Sequence, residues 1–133
     1  DEVLAMKPGR ELDELVIRHI MNIPVVESVD LFSQEPFPAA WWVEDEGWYI
    51  AYERDEDGLI YMPFNPSEDI AAAWVVVEMF SYIDIHRYDD FFACAIYPIG
   101  NSAVIRARGK TMPEAICKAA LLAVMDGEDK HGD

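Results

Sequence analysis

The chain has 133 residues, one domain's worth, and is 52% hydrophobic, which excludes a disordered tail protein. Ten Lys and Arg stand against 26 Asp and Glu, for a net charge of −16. A general nucleic-acid surface and adhesion to an anionic membrane are thereby excluded, because both need a basic face.

Residues 1–6 allow one helical turn, which Pro8 and Gly9 close. From Arg10 to Met21, Leu12, Leu15, Val16 and Ile20 recur at helical spacing. That predicts an amphipathic helix with Glu11, Asp13, Glu14 and Arg18 on its wet side, ended by Asn22 and Pro24. Val25 and Val26 suit a short strand, but Pro24, Pro36 and Pro38 break the region, and 27–40 reads as a loop. Trp41–Val43 and Trp48–Glu53 form the arms of a predicted hairpin around Glu44-Asp45-Glu46-Gly47. Trp48, Ile50 and Tyr52 share one face of its second arm. Arg54–Gly58 is a charged turn, and Leu59–Met62 a further short strand.

Asn65-Pro66-Ser67-Glu68 is a helix start, with Asn65 as the expected cap and Ser67 as its competitor. The helix is predicted to reach about Tyr82. It is apolar on nearly every side from Ile70 to Val77, which predicts a helix buried at the centre of the fold. Asp84–Asp90 reads as a solvated loop. Phe91–Ile99 and Ser102–Arg108 flank Gly100-Asn101, a two-residue hairpin signal. Thr111-Met112-Pro113-Glu114 is a capping box, and its helix carries the small residues Ala119, Ala120 and Ala123. That helix is expected to end at Asp126-Gly127, leaving 128–133 as a polar, frayed tail beyond one domain of residues 1–127. The order is helix, hairpin, helix, hairpin, helix. It predicts an α+β fold with a mostly antiparallel sheet of about four strands and three main helices.

Three stretches carry a family resemblance. They are Val3-Leu4-Ala5-Met6-Lys7-Pro8-Gly9-Arg10-Glu11-Leu12-Asp13-Glu14-Leu15-Val16, then Ser67-Glu68-Asp69-Ile70-Ala71-Ala72-Ala73-Trp74, then Pro113-Glu114-Ala115-Ile116-Cys117-Lys118-Ala119-Ala120-Leu121. In this order they resemble the phage ABA-sandwich domain family of small phage and prophage proteins. The sequence departs from that pattern at Ile17–Asn22 and at Val75. The resemblance implies a three-layer α/β/α sandwich and carries no particular biochemical activity.

Cys94 and Cys117 are too few for a disulfide framework and have no zinc spacing, so they are expected to be buried thiols. The longest uncharged apolar run falls far short of the ~20 residues of a membrane span, and no signal-like segment is visible. The expected place is the cytoplasm of a bacterial host. His19 borders the apolar stripe and reads as a boundary histidine. His86 has acids nearby that could orient an imidazole or build a hard-cation site. The run lacks the glycine and spaced acids of a calcium loop and reads as solvated, and His131 receives no role. No GxSxG, P-loop or HExxH motif occurs, so the chain is not expected to be an enzyme, and no metal or cofactor is expected.

The acidic block is the most distinctive feature. Glu44, Asp45, Glu46, Glu53, Asp55, Glu56 and Asp57 surround a single base, Arg54, and Trp41, Trp42, Trp48, Tyr49 and Tyr52 are interleaved. Aromatic rings give anchor area, and the acids steer a basic partner. The expected function is a non-catalytic interaction module that binds a basic host or phage protein, its acids standing in for nucleic-acid phosphates. Trp41, Trp42, Glu44, Asp45, Glu46, Trp48, Asp55, Glu56 and Asp57 are the expected contacts. A monomer or small homo-oligomer is expected.

A second reading rests on Arg106, Arg108 and Lys110, which alternate along one strand face. They mark either cross-strand neutralisation of carboxylates or a small-molecule or nucleotide site. From Asn101 to Met125 four bases face one acid, so the charge is uneven and one small basic site survives in an acidic chain.

Overall fold

The computed structural model describes residues 2–28, 37–56, 58–97 and 103–131, with the backbone alone for Tyr52 and 126–131. The elements are α1 (Glu2–Ala5), α2 (Arg10–His19), β1 (Ala39–Val43), β2 (Gly47–Asp55), β3 (Gly58–Pro63), α3 (Ile70–Val77), β4 (Ile83–Arg87), β5 (Phe92–Ile96), β6 (Ile105–Gly109) and α4 (Met112–His131). The fold is α+β. The strands form two antiparallel sheets, ordered β1-β2-β3 and β4-β5-β6, where one sheet of about four was expected. Val25 makes one parallel bridge to Ala40 in place of a strand.

Helix α4 is the centre of the fold. Every residue from Pro113 to Leu121 is buried. The helix packs on β5 and β6 on one side and against α2 and α3 on another. Its small residues explain the close approach. A Cβ on Gly109 would lie 2.6 Å from the Ala115 backbone nitrogen, so the turn from β6 into the first turn of α4 leaves no room for a side chain there. Thr111 Oγ1 accepts from the Glu114 amide as the capping box predicts, while Glu114 Oε1 accepts from Lys110 N one residue further out. α4 continues past Asp126-Gly127 to His131, so the expected stop there is corrected.

α3 is shorter and less central than predicted. Asp69, not Asn65, is its cap, with Oδ1 accepting from the Ala71 amide. Asn65 is used elsewhere, because its Oδ1 accepts from the Trp48 amide. Gly47, at φ 106°, leaves room for that side chain; a Cβ there would sit 2.6 Å from Asn65 Oδ1. Only Ala72, Ala73 and Val76 of α3 are buried, while Ile70, Trp74 and Val75 are exposed. The helix is covered on one side, by α4. The segment read as a solvated loop is in part β4, whose Ile83 and Ile85 join the core while Asp84 and His86 face outward. The Gly100-Asn101 turn and Asp57 lie outside the described residues, as does 29–36 of the predicted loop.

α2 is amphipathic as expected, and Asn22 adopts the left-handed φ of 56° just beyond it. One wet-side assignment is overturned: Asp13 is only 1% exposed. It lies one turn from Val16 and Ile17 on the buried face, so the backbone carries it inward with them.

Candidate functional site

The outer face of β1–β3 gathers three aromatic side chains. Trp41 and Tyr49 are cross-strand partners with ring centroids 6.1 Å apart. Tyr61 on β3 lies 5.9 Å from Trp41 and 6.0 Å from Tyr49. Trp41 and Tyr49 are half-buried and Tyr61 is exposed, so the cluster is open to solvent on one side. Glu44, Asp45 and Glu46 are exposed in the turn at one end of β2, and Asp55 and Glu56 at the other. The Tyr49 hydroxyl donates to Glu46 Oε1 at 2.7 Å, which raises its pKa and ties the ring to the acidic turn. The Trp42 indole donates to Glu44 Oε2 at 3.2 Å, and the Arg10 guanidinium covers the Trp42 ring.

Trp48 does not belong to this face. It is 1% exposed, packs edge-on to Trp42 and donates its indole N–H to the Arg10 carbonyl. Strand alternation explains the correction: Trp48 and Ile50 point to the core, while Tyr49 points outward. The sequence reading missed Tyr61 as a surface contact, because only the β2–β3 register brings it beside Tyr49.

The outer face of β4–β6 is the second open surface. Register aligns Asp84, Ala95 and Arg106 in one row and His86, Ala93 and Arg108 in the next. The central strand offers only alanines, so a trough runs between longer side chains. A groove of about 690 Å³ opens along the β5–β6 part of this surface, lined by Leu4 of α1 and by Tyr88, Phe91, Ala93, Arg106, Ala107 and Arg108. Arg108 lies 4.6 Å over the Phe91 ring, whose other stacking partner is Tyr88 at 4.7 Å. Neither Arg106 nor Arg108 pairs with a described carboxylate; the described ion pairs are Arg18–Glu14 and Lys118–Glu114. The cross-strand neutralisation considered above is therefore not what holds them. Lys110 lies beyond β6, exposed and outside the groove lining.

The buried polar groups serve the fold. Asp13 Oδ1 accepts from the Ser67 amide at 2.7 Å, and Ser67 Oγ accepts from the Gly9 amide at 2.9 Å. Burial pushes the Asp13 carboxyl up to about 6 against the hydrogen bonds from Ser67, which pull it down. Lys118 Nζ, 4% exposed, donates to Glu114 Oε2 at 2.7 Å and to the Leu4 carbonyl at 3.0 Å. Cys94 and Cys117 are buried and free, with burial raising both thiols, Cys94 to about 12. Such thiols are poor nucleophiles. Among the described residues, no group of three or more His, Cys, Asp and Glu is placed to hold a metal ion. No described helix is long and apolar enough to cross a membrane.

The first two stretches that carry the resemblance thus meet in space through Gly9, Asp13 and Ser67, and the third is the central helix. The sequence model described as "Phage ABA sandwich domain" matches residues 14–121. The chain belongs to that family. A solved structure described as a phage protein from Bacillus cereus ATCC 14579 is similar, with 25% identity and a TM-score of 0.57. The likeness covers 90% of this chain and 94% of that one. No curated protein matches the sequence. The family has no known function, and it indicates no catalytic class. Its matched span begins inside α2 and ends inside α4, so it takes in both open sheet faces.

Proposed function

We propose that this phage-family protein is a non-catalytic interaction module that binds a basic protein in the cytoplasm of a bacterial host. The observation that carries the reading is the Trp41–Tyr49–Tyr61 cluster, open to solvent and flanked by exposed acids at both ends of β2. Aromatic rings lose little rotational freedom on binding and supply most of the anchor energy at interfaces. Here the rings already brace one another, and Tyr49 is held by Glu46, so little ordering remains to be done. The acids Glu44, Asp45, Glu46, Asp55 and Glu56 complement Lys and Arg on the partner. They raise the association rate at low salt and reject acidic surfaces. Trp42 supports the turn and Trp48 the core.

The test is partner capture from host lysate, followed by affinity measurement with the purified partner. Trp41→Ala or Tyr61→Ala is expected to weaken binding by ~10-fold or more. Reversal of Glu44, Asp45 and Glu46 to Lys is expected to slow association and to flatten its salt dependence. Unchanged affinity in both sets of variants would overturn the reading.

A further inference from the structure

We infer that the groove on the outer face of β4–β6 is a binding site for a nucleoside phosphate. This is a small-ligand site separate from the protein-binding face on β1–β3. Three observations converge on it.

The first is charge. The chain carries 26 acids, yet none of the described ones lines this groove, and two arginines do. Arg106 and Arg108 are exposed and have no described carboxylate partner. A guanidinium left unpaired in so acidic a chain keeps its full fork of donors for an anion.

The second is spacing. Arg106 and Arg108 are two residues apart on one strand face, which sets their Cα atoms about 6.6 Å apart. Two guanidinium groups at that separation converge on one phosphate or bridge the two of a diphosphate, each through parallel N–H···O bonds. Arg108 is already oriented, because its guanidinium sits over the Phe91 ring, 4.6 Å from the centroid. Less side-chain freedom is lost when it takes up the anion.

The third is shape. The groove holds about 690 Å³, within the usual span for small-ligand sites. Ala93 gives it a low floor, and Tyr88, half exposed and stacked on Phe91, offers a ring wall. A phosphate alone would use the arginines and leave the aromatic wall empty. A nucleoside phosphate uses both, with its base against Tyr88 and its phosphates on Arg106 and Arg108.

Isothermal titration of the intact protein with ADP, adenosine and inorganic phosphate tests this, with amide chemical shifts to locate the site. ADP is expected to bind, with adenosine and phosphate each weaker by about tenfold or more. Shifts are expected at Tyr88, Ala93, Arg106 and Arg108. Arg106→Gln with Arg108→Gln should cost ADP at least about tenfold, and both positions are exposed, so the fold should be retained. Tyr88→Ala should weaken ADP severalfold and leave phosphate unaffected. Failure of ADP and of the other common nucleoside diphosphates to bind at millimolar concentration would overturn the inference. So would ADP affinity that survives the double arginine change, or an oligonucleotide that binds the face more tightly than the mononucleotide.

Discussion

The Ser67 amide, in the turn before α3, donates to Asp13 Oδ1 on α2 at 2.7 Å, across 54 residues of sequence. Asp13 and Ser67 are both buried, so neither group has water as a substitute. Ser67 also receives the Gly9 amide, which sets the entry of the chain into α2. One small network thus fixes α2 against the start of α3. Truncation by Asp13→Ala leaves the Ser67 amide without its acceptor and is expected to destabilise the protein by about 1–3 kcal/mol in urea titrations.

The same pair sets a pH dependence. The Asp13 carboxyl rises from 3.8 to about 6 on folding, chiefly through burial. Between those values the folded protein holds a proton that the unfolded chain has released. The stability contribution of this site is therefore full below about pH 4, falls as pH rises to about 6 and stays low above it. At about 1.4 kcal/mol per pH unit, the full difference is about 3 kcal/mol. Asp13→Asn keeps an acceptor for Ser67 and cannot ionise. The unfolding free energy of wild type minus that of Asp13→Asn should drop between pH 4 and 7 by roughly 1–3 kcal/mol. A difference that stays flat, or that rises with pH, contradicts the assignment.

Gly109→Ala probes the contact between β6 and α4. The new Cβ would meet Ala115 N at 2.6 Å and Glu114 Cβ at 2.8 Å. The first of these is backbone in the central helix and has little room to give. We expect a loss of about 1–3 kcal/mol, measured by thermal or chemical unfolding. A neutral effect would mean that the junction between β6 and α4 can open to admit a methyl group.

The Glu114–Lys118 pair is buried, and both partners have a second hydrogen bond, to Lys110 N and to the Leu4 carbonyl. Lys118→Met leaves the Glu114 charge buried and unpaired, and the expected cost is about 3–5 kcal/mol. With Glu114→Gln added, the double variant should be more stable than the sum of the two single losses predicts. A double-mutant cycle measures that coupling. Strict additivity would show that the two groups act independently.

Two tryptophans seven residues apart should behave oppositely. Trp48→Ala removes a fully buried ring and its bond to Arg10, at an expected cost of about 3–5 kcal/mol. Trp41→Ala removes a half-buried surface ring, and its main loss should be in partner affinity. Unfolding curves and binding measured on the same preparations separate the two effects.

Much of the candidate site was legible in the sequence. The β1–β2 hairpin follows from alternation on either side of an acidic turn with glycine, and that pairing puts Trp41 against Tyr49. Alternation also argued that Trp48 and Tyr49 face apart, which removes Trp48 from any surface with Tyr49. The strand Ile83–Arg87 was legible too, since Ile83 and Ile85 alternate with Asp84 and His86, but its charges hid it among solvated residues. Asp13 stands three and four positions before Val16 and Ile17, a spacing that marks it as a core position despite its charge.

The amino-acid sequence by itself determined the helices, the first hairpin, the acidic aromatic block, the basic pair on the last strand and the family. These are local signals, carried by periodicity, caps and turn residues within a few positions of each other. Tertiary structure decided which helix is central and which residues share a surface. α3 is the more apolar helix, yet α4 takes the middle, because its alanines let a sheet and two helices approach it together. Likewise only strand register could bring Tyr61 to Trp41, or leave Arg106 and Arg108 beside a floor of alanine with no described carboxylate paired to them. Pairing across distant segments depends on which buried faces fit, and no local pattern contains that information.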